Sequence, residues 1–361
     1  MARAFNAHPG IACASDPMAP LFNSFRYDVA SDGYRNSHGR FEPLGDYFEH
    51  DSDLLDSIWE SDFSRAVEAD PAELIETVRS RAMPYSGNWA RSLPERVVDS
   101  TYKGWIEGFI DLIWESCGKD LETSVVSFKE VWTNEFAPAF LRTFRNSKVL
   151  FVIRDPRAVA ASKNVTSEKY SLLFLARQWR KLAWLAHRCS GEFPGRTMVL
   201  RYEDLVLSQE DSFRKICDFT GIPYLKDLLD ESKYLDGEGK LWRQNSSYRP
   251  RSSGINAESM QRWKTVLSLD ERKLIELICR DGMSGFGYET EFAPVDILEV
   301  PPSEHPRVSE DEMASWLTPF ALDLQPQKFL QALEVEIHRF RSLYDQADGT
   351  EKAVPVAQAF C

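Results

Sequence analysis

Residues 149–153, VLFVI, form an unbroken apolar run, and it passes at once into RDPRAVAAS, residues 154–162. Five apolar residues without alternation fit a strand that is buried on both faces. Such strands belong to parallel sheets covered by helices on each side. Asp155 suits a helix N-cap and Pro156 the first helical position, so the strand should turn directly into a helix. That helix is expected to occupy residues 157–163, with Ser162 about two turns in. In open parallel sheets, ligands sit beyond the carboxyl ends of the strands. Arg154 stands at such an end. A guanidinium there and a hydroxyl on the following helix can hold one phosphate from two sides. The other reading is an ordinary ion pair of Arg154 with Asp155 or a neighbour.

The rest of the chain supplies the partners of this strand. Apolar residues recur at three- and four-residue steps in 54–69, 71–82, 104–117, 135–146, 170–191 and 211–221, which predicts helices. SVVSFK should be a strand ending at Lys129, and TMVLRY, from residue 197, another. Helix and strand alternate, so the fold class is α/β. Residues 1–50 read as loop and short helix with aromatics interspersed. From Glu291 the texture turns Pro- and acid-rich, as in an extended linker. QPQKFLQALEVEIHRFRSLY then predicts an amphipathic helix.

The formal net charge of −13 argues against a nucleic-acid partner, which would require a basic face. No segment approaches the ~18 apolar residues of a membrane span, and MARAFNAHPG lacks the apolar core of a signal peptide. The six cysteines are scattered without a CxxC pair, which favours reduced thiols and a cytoplasmic setting over a disulfide framework or a zinc site. Against this acidic background, GKLWRQNSSYRPRSSG holds Lys240, Arg243, Arg249 and Arg251 and no acid. It is an anion-binding loop, a solvated loop, or a segment that pairs with the acidic tail.

KVLFVIRDPRAVAAS resembles the 3′-phosphate motif of the sulfotransferases that use 3′-phosphoadenosine 5′-phosphosulfate (PAPS). MVLRYEDLVLSQEDSFRKICDFTGIPY, NSSY and SMQRWKTVLSLDERKLIELICRDGMSGFGYE are similar to later parts of the bacterial and carbohydrate types, in the same order. The resemblance implies a P-loop-nucleotide-hydrolase-like parallel sheet with helices on both faces and a helical C-terminal extension. It implies that Arg154 and Ser162 bind the 3′-phosphate, with Arg249, Arg251 and the hydroxyls of Ser246 and Ser247 closing over the nucleotide. Lys129 matches the lysine that touches the bridging oxygen of the donor. There a cation offsets charge developing on the leaving phosphate; the plainer reading is a solvated lysine at a strand end. Asp16, in HPGIACASDP, falls where the family places a catalytic carboxylate, although it also suits a turn before Pro17. His38 and His50 are reserve candidates for the base. The acids of RYEDL, Glu203 among them, read as structural.

The family's other defining element, a loop of the form P-R-S-G-[ST]-T that cradles the 5′-phosphosulfate, should lie just ahead of ARAFNAHPGI and is not found. Residues 1–290 are therefore expected to form an N-terminally incomplete sulfotransferase domain, and 291–361 a linker with a helical extension. The expected reaction is transfer of a sulfuryl group from PAPS to a hydroxyl or amine of a small-molecule or sugar acceptor, leaving 3′-phosphoadenosine 5′-phosphate (PAP). No metal, nucleic acid or membrane is expected to take part, and a homodimer is left open. The alternative is a catalytically inactive sulfotransferase-like binding protein. A nucleotide kinase is disfavoured because no Walker lysine exists.

Overall fold

The computed structural model describes residues 1–15, 17–42, 52–86, 89–95, 99–116, 125–162, 172–234, 258–298 and 326–344. The elements that build the site are, in chain order, α1 (Ala2–Ala7), β1 (Ile11–Ser15), α2 (Ala19–Val29), α3 (Pro71–Ser86), α4 (Tyr102–Ser116), β2 (Val125–Lys129), α5 (Ala137–Thr143), β3 (Val149–Ile153), α6 (Pro156–Ala160), α7 (Leu172–Glu192), β4 (Thr197–Arg201), α8 (Gln209–Thr220), α9 (Leu269–Gly285) and α10 (Pro326–Tyr344).

The fold is α/β, and every ladder between these strands is parallel. Among the described residues the strands form two pairs. β1 lies beside β2, with Ser15 opposite Lys129, and β3 beside β4, with Ile153 opposite Arg201. Successive side chains alternate between faces. Ile11, Cys13, Val125, Leu150, Met198 and Leu200 all enter one cluster under α1 and α8, so the two pairs share a covered face. On the opposite face, Ala12, Ala14, Val126 and Phe128 pack under α2, α3 and α4. Phe151, Ile153, Val149 and Val199 pack under α7, α9 and α10. Helices thus cover both faces, as the unbroken apolar run of β3 requires.

β1 has no counterpart in the sequence reading, which took this stretch for loop. Its residues IACAS are small and only Ile11 is β-branched, so β propensity is weak. The turn residues Pro9–Gly10 and Pro17 around a buried five-residue run were the available signal. One edge of β1 is closed by a side chain. The Asn6 amide donates to the Cys13 carbonyl at 2.6 Å and accepts the Cys13 N–H at 2.8 Å, as a neighbouring strand would.

The helix expected over 54–69 occupies Ser52–Glu60 and stops there. The Ser61 hydroxyl turns back to the Ser57 carbonyl, and Asp62 accepts the Ser64 N–H, local bonds that compete with further helix. α8 ends as expected at Gly221, whose φ of 82° is the left-handed conformation that glycine adopts without strain. After α9 the chain does not run free at once. Buried Glu276 accepts the backbone N–H groups of Glu291 and Phe292 at 2.7 and 3.2 Å, and a short helix, Pro294–Leu298, follows.

Candidate functional site

The β3–α6 turn forms much as its sequence implies. Asp155 caps α6 by accepting the Arg157 N–H at 2.9 Å, with Pro156 at the first helical position. The helix is shorter than expected and ends at Ala160. Ser162 lies two residues beyond it, half-buried, with its N–H on the Val159 carbonyl at 3.0 Å. Arg154 and Ser162 therefore sit on one strand–turn–helix unit, with Ser162 in the closing turn rather than on the helix.

The Asp155 carboxylate pairs with Arg157 and not with Arg154, the pairing that the alternative reading allowed. Buried Arg157 reaches Asp155 Oδ2 at 2.8 Å and Glu276 Oε1 at 3.1 Å, and its guanidinium lies 4.1 Å from the centre of the Trp263 ring. Among the described residues, Arg154 pairs with no carboxylate. Its Nη2 donates to the Ser259 carbonyl at 2.5 Å, and its guanidinium stacks 4.7 Å from the centre of the Tyr202 ring. Its Nε is buried without a hydrogen-bond partner. A cation in this condition at a strand end suits an anionic ligand, which would offset the charge and supply acceptors.

Arg154 is held from behind. Its carbonyl accepts the Trp179 indole N–H at 2.7 Å, and Trp179 is a buried residue of α7. The next backbone group, the Asp155 N–H, donates to Glu203 Oε1 at 3.0 Å. Glu203 is thus structural, as RYEDL was read. Sequence reasoning missed Arg157 and Trp179, because their role depends on α9 and α7 arriving from distant parts of the chain.

Lys129 closes β2, as expected, and is exposed. The following residue, Glu130, accepts the Met18 N–H at the entry of α2, tying the exit of β1 to the exit of β2. The His-Pro pair ahead of β1 has a structural task. His8 is buried, its Nδ1 accepts the Gly10 N–H at 2.9 Å, and its Nε2 lies 2.9 Å from the Pro223 carbonyl. Those partners require the proton on Nε2. His38 stacks on Tyr34 at 4.1 Å between ring centres, with its Nδ1 near Ser37 Oγ and the Tyr34 carbonyl. Asp16, His50, Lys240, Arg243, Ser246, Ser247, Arg249 and Arg251 lie outside the described residues. Among the described residues, no group of three or more His, Cys, Asp or Glu side chains could hold a metal ion. No described helix is long and apolar enough to cross a membrane.

Comparison with known proteins places this chain in a family. A putative protein-tyrosine sulfotransferase of Caenorhabditis briggsae is 24% identical over 178 residues, covering 46% of this chain and 62% of that protein. Carbohydrate sulfotransferase 3 of Tetronarce californica is 25% identical over 179 residues, 43% of this chain and 39% of that one. The chain thus spans about three fifths or less of these relatives. Among solved structures, a sulfotransferase domain from the curacin biosynthetic pathway aligns over 78% of this chain and 98% of its own, at 14% identity and a TM-score of 0.39. The model of the sulfotransferase family matches residues 3–227, more than half of the sequence, and the chain belongs to that family.

Proposed function

We propose that the protein moves a sulfuryl group from PAPS to a hydroxyl or amine of a small-molecule or sugar acceptor. The observation that carries this reading is Arg154. It stands at the carboxyl end of a half-buried parallel strand with a buried, partnerless Nε, while the adjacent carboxylate is committed to Arg157. Arg154 and the Ser162 hydroxyl bind the 3′-phosphate, and Arg249, Arg251 and Ser247 complete the nucleotide contacts. The donor supplies an activated sulfur. As the acceptor oxygen bonds to that sulfur, the bridging S–O bond breaks and the electron pair stays on the phosphate of PAP. Lys129 offsets the charge on that leaving oxygen. Asp16 receives the acceptor's proton.

The relatives named as protein-tyrosine sulfotransferases add tyrosine peptides to the acceptors worth testing. The described cysteines Cys13, Cys189, Cys217 and Cys279 are free and buried, which supports a reducing, cytoplasmic setting. The test is sulfuryl transfer from ³⁵S-labelled PAPS to phenols, sugars, amines and tyrosine peptides, with PAP binding measured by calorimetry. Transfer to any of these supports the proposal. Binding of PAP without transfer to any acceptor favours the inactive binding protein, and absence of PAP binding overturns the nucleotide site.

A further inference from the structure

We propose that α10, far from the phosphate motif in sequence, is a working part of the 3′-phosphate site, and that Glu336 is a positioning residue for Arg154. The inference rests on Arg154 being the phosphate ligand. Glu336 is 1% exposed. Its Oε1 accepts from Arg177 Nε at 2.8 Å and from Arg180 Nη2 at 3.0 Å, and its Oε2 accepts from Arg180 Nη1 and from Arg339 Nε at 3.1 Å. Arg177 also donates to the Ala332 carbonyl at 2.9 Å. One carboxylate of α10 therefore fixes two arginines of α7. Between them in sequence stands Trp179, whose indole N–H holds the Arg154 carbonyl.

A second path reaches the same indole. Arg339 of α10 donates to Asp281 Oδ2 at 2.8 Å and to the carbonyls of Leu277 and Ile278 at 3.1 and 3.0 Å, gripping α9. α9 presses on Trp179 at Gly282, where an added Cβ would lie only 2.8 Å from Trp179 Cζ3. α10 thus clamps α7, which carries Trp179, and α9, which packs against its ring. Leu333, Ile337 and Phe340 seat it in the core beside Trp179, Ala183 and Leu274. A helix that served only as a surface extension would need no buried charges, because three arginines around one carboxylate carry a large desolvation cost. The arrangement fixes orientation, and the group oriented at its far end is Arg154.

The test measures the Kd of PAP by calorimetry for the full chain and for Glu336→Gln, Glu336→Asp, Trp179→Phe and the Glu336→Gln/Trp179→Phe pair. All are held at a temperature where circular dichroism shows each to be folded. Arg154→Ala is the control for the site itself. Glu336→Gln and Trp179→Phe should each weaken PAP about three- to tenfold, the loss that follows from one misplaced or missing hydrogen bond. Glu336→Asp should recover part of the loss, and the pair should be no weaker than its worse member because both act on one path. In ¹⁵N-tryptophan spectra, Glu336→Gln should move the Trp179 indole resonance, which a merely stabilising role would leave in place. A folded Glu336→Gln protein with unchanged Kd overturns the proposal. If Glu336→Gln does not fold, Trp179→Phe decides it, since an unchanged Kd there removes the last link. A full chain that binds no PAP, or binds it equally well as Arg154→Ala, brings down the phosphate reading, and this one with it.

Discussion

Tyr288 Oη donates to Glu203 Oε2 at 2.7 Å and approaches the Ile153 carbonyl at 3.1 Å, while the other oxygen of Glu203 accepts the Asp155 N–H. The tyrosine after α9 thereby staples the last residue of β3 to the residue that caps α6. Arg154 lies between those two points. Its backbone is fixed by its neighbours on both sides and by Trp179, so its side chain starts from a defined origin.

Removal of the staple should be felt first as stability. Burial pushes the Tyr288 phenol well above its ordinary range, and the neighbouring Glu203 adds to the shift, so the hydroxyl stays protonated and donating. Tyr288→Phe keeps the ring beneath the Arg201 guanidinium, 4.5 Å away, but leaves Glu203 short of a donor. Loss of a hydrogen bond to a charged group costs about 1.5–3 kcal/mol. Thermal denaturation should show a melting temperature lower by several degrees, and an unchanged one would mean that Glu203 finds a replacement donor.

Arg154→Ala removes the proposed phosphate ligand itself. A charge-assisted contact of this kind accounts for ~1.5–3 kcal/mol, so PAP should bind at least about tenfold more weakly. The fold should tolerate the change, because among the described residues the side chain satisfies no carboxylate. Calorimetric affinity equal to that of the parent would remove Arg154 from the site.

The local part of this site was legible in sequence, and the long-range part was not. VLFVI, Asp155 and Pro156 carry their strand, cap and helix start in their own chemistry, and the structure follows them residue by residue. The strand ending at Lys129 was equally readable. The plainer reading of Arg154 is an ion pair with Asp155 or a neighbour. Asp155 instead pairs with Arg157, because Glu276 arrives on α9 to hold the far side of that guanidinium. Trp179 shows no periodicity that separates it from the other apolar residues of α7, and only its contact with the Arg154 carbonyl marks it. β1 was missed for the opposite reason, since its small residues give little strand signal until α1 and α2 cover them.

Lys129 should act on the transfer step more than on affinity. It is exposed at the end of its strand. If it meets the bridging oxygen, its contribution appears as charge develops, and Lys129→Ala lowers kcat much more than it raises the donor Kd. Single-turnover rates alongside equilibrium binding of PAPS separate the two quantities. A variant with retained kcat and weakened binding would make Lys129 a binding residue.

Glu336 should give the protein a pH-dependent stability with a defined sign. Burial pushes its carboxyl upward, but Arg180, Arg339 and Arg177 outweigh that and bring it down to about 2. In the unfolded chain a glutamate titrates at about 4.3. The folded state therefore holds fewer protons than the unfolded state between these values. The stabilisation from Glu336 is complete above the unfolded value and is lost as pH falls through about 2. Glu276 works in the other direction. Its burial raises the carboxyl, against the backbone donors of Glu291 and Phe292 and the charges of Arg157 and Arg280. A single pH curve mixes the two contributions, but Glu276 is present in both the parent and Glu336→Gln and cancels in their difference. The stability gap between those two proteins, taken from urea unfolding at steps from pH 6 to pH 2, should be widest at the upper end and narrow steadily below about pH 4. A gap that stays constant across that range would mean that the three arginines do not hold Glu336 ionised, and that the clamp on α7 is not electrostatic.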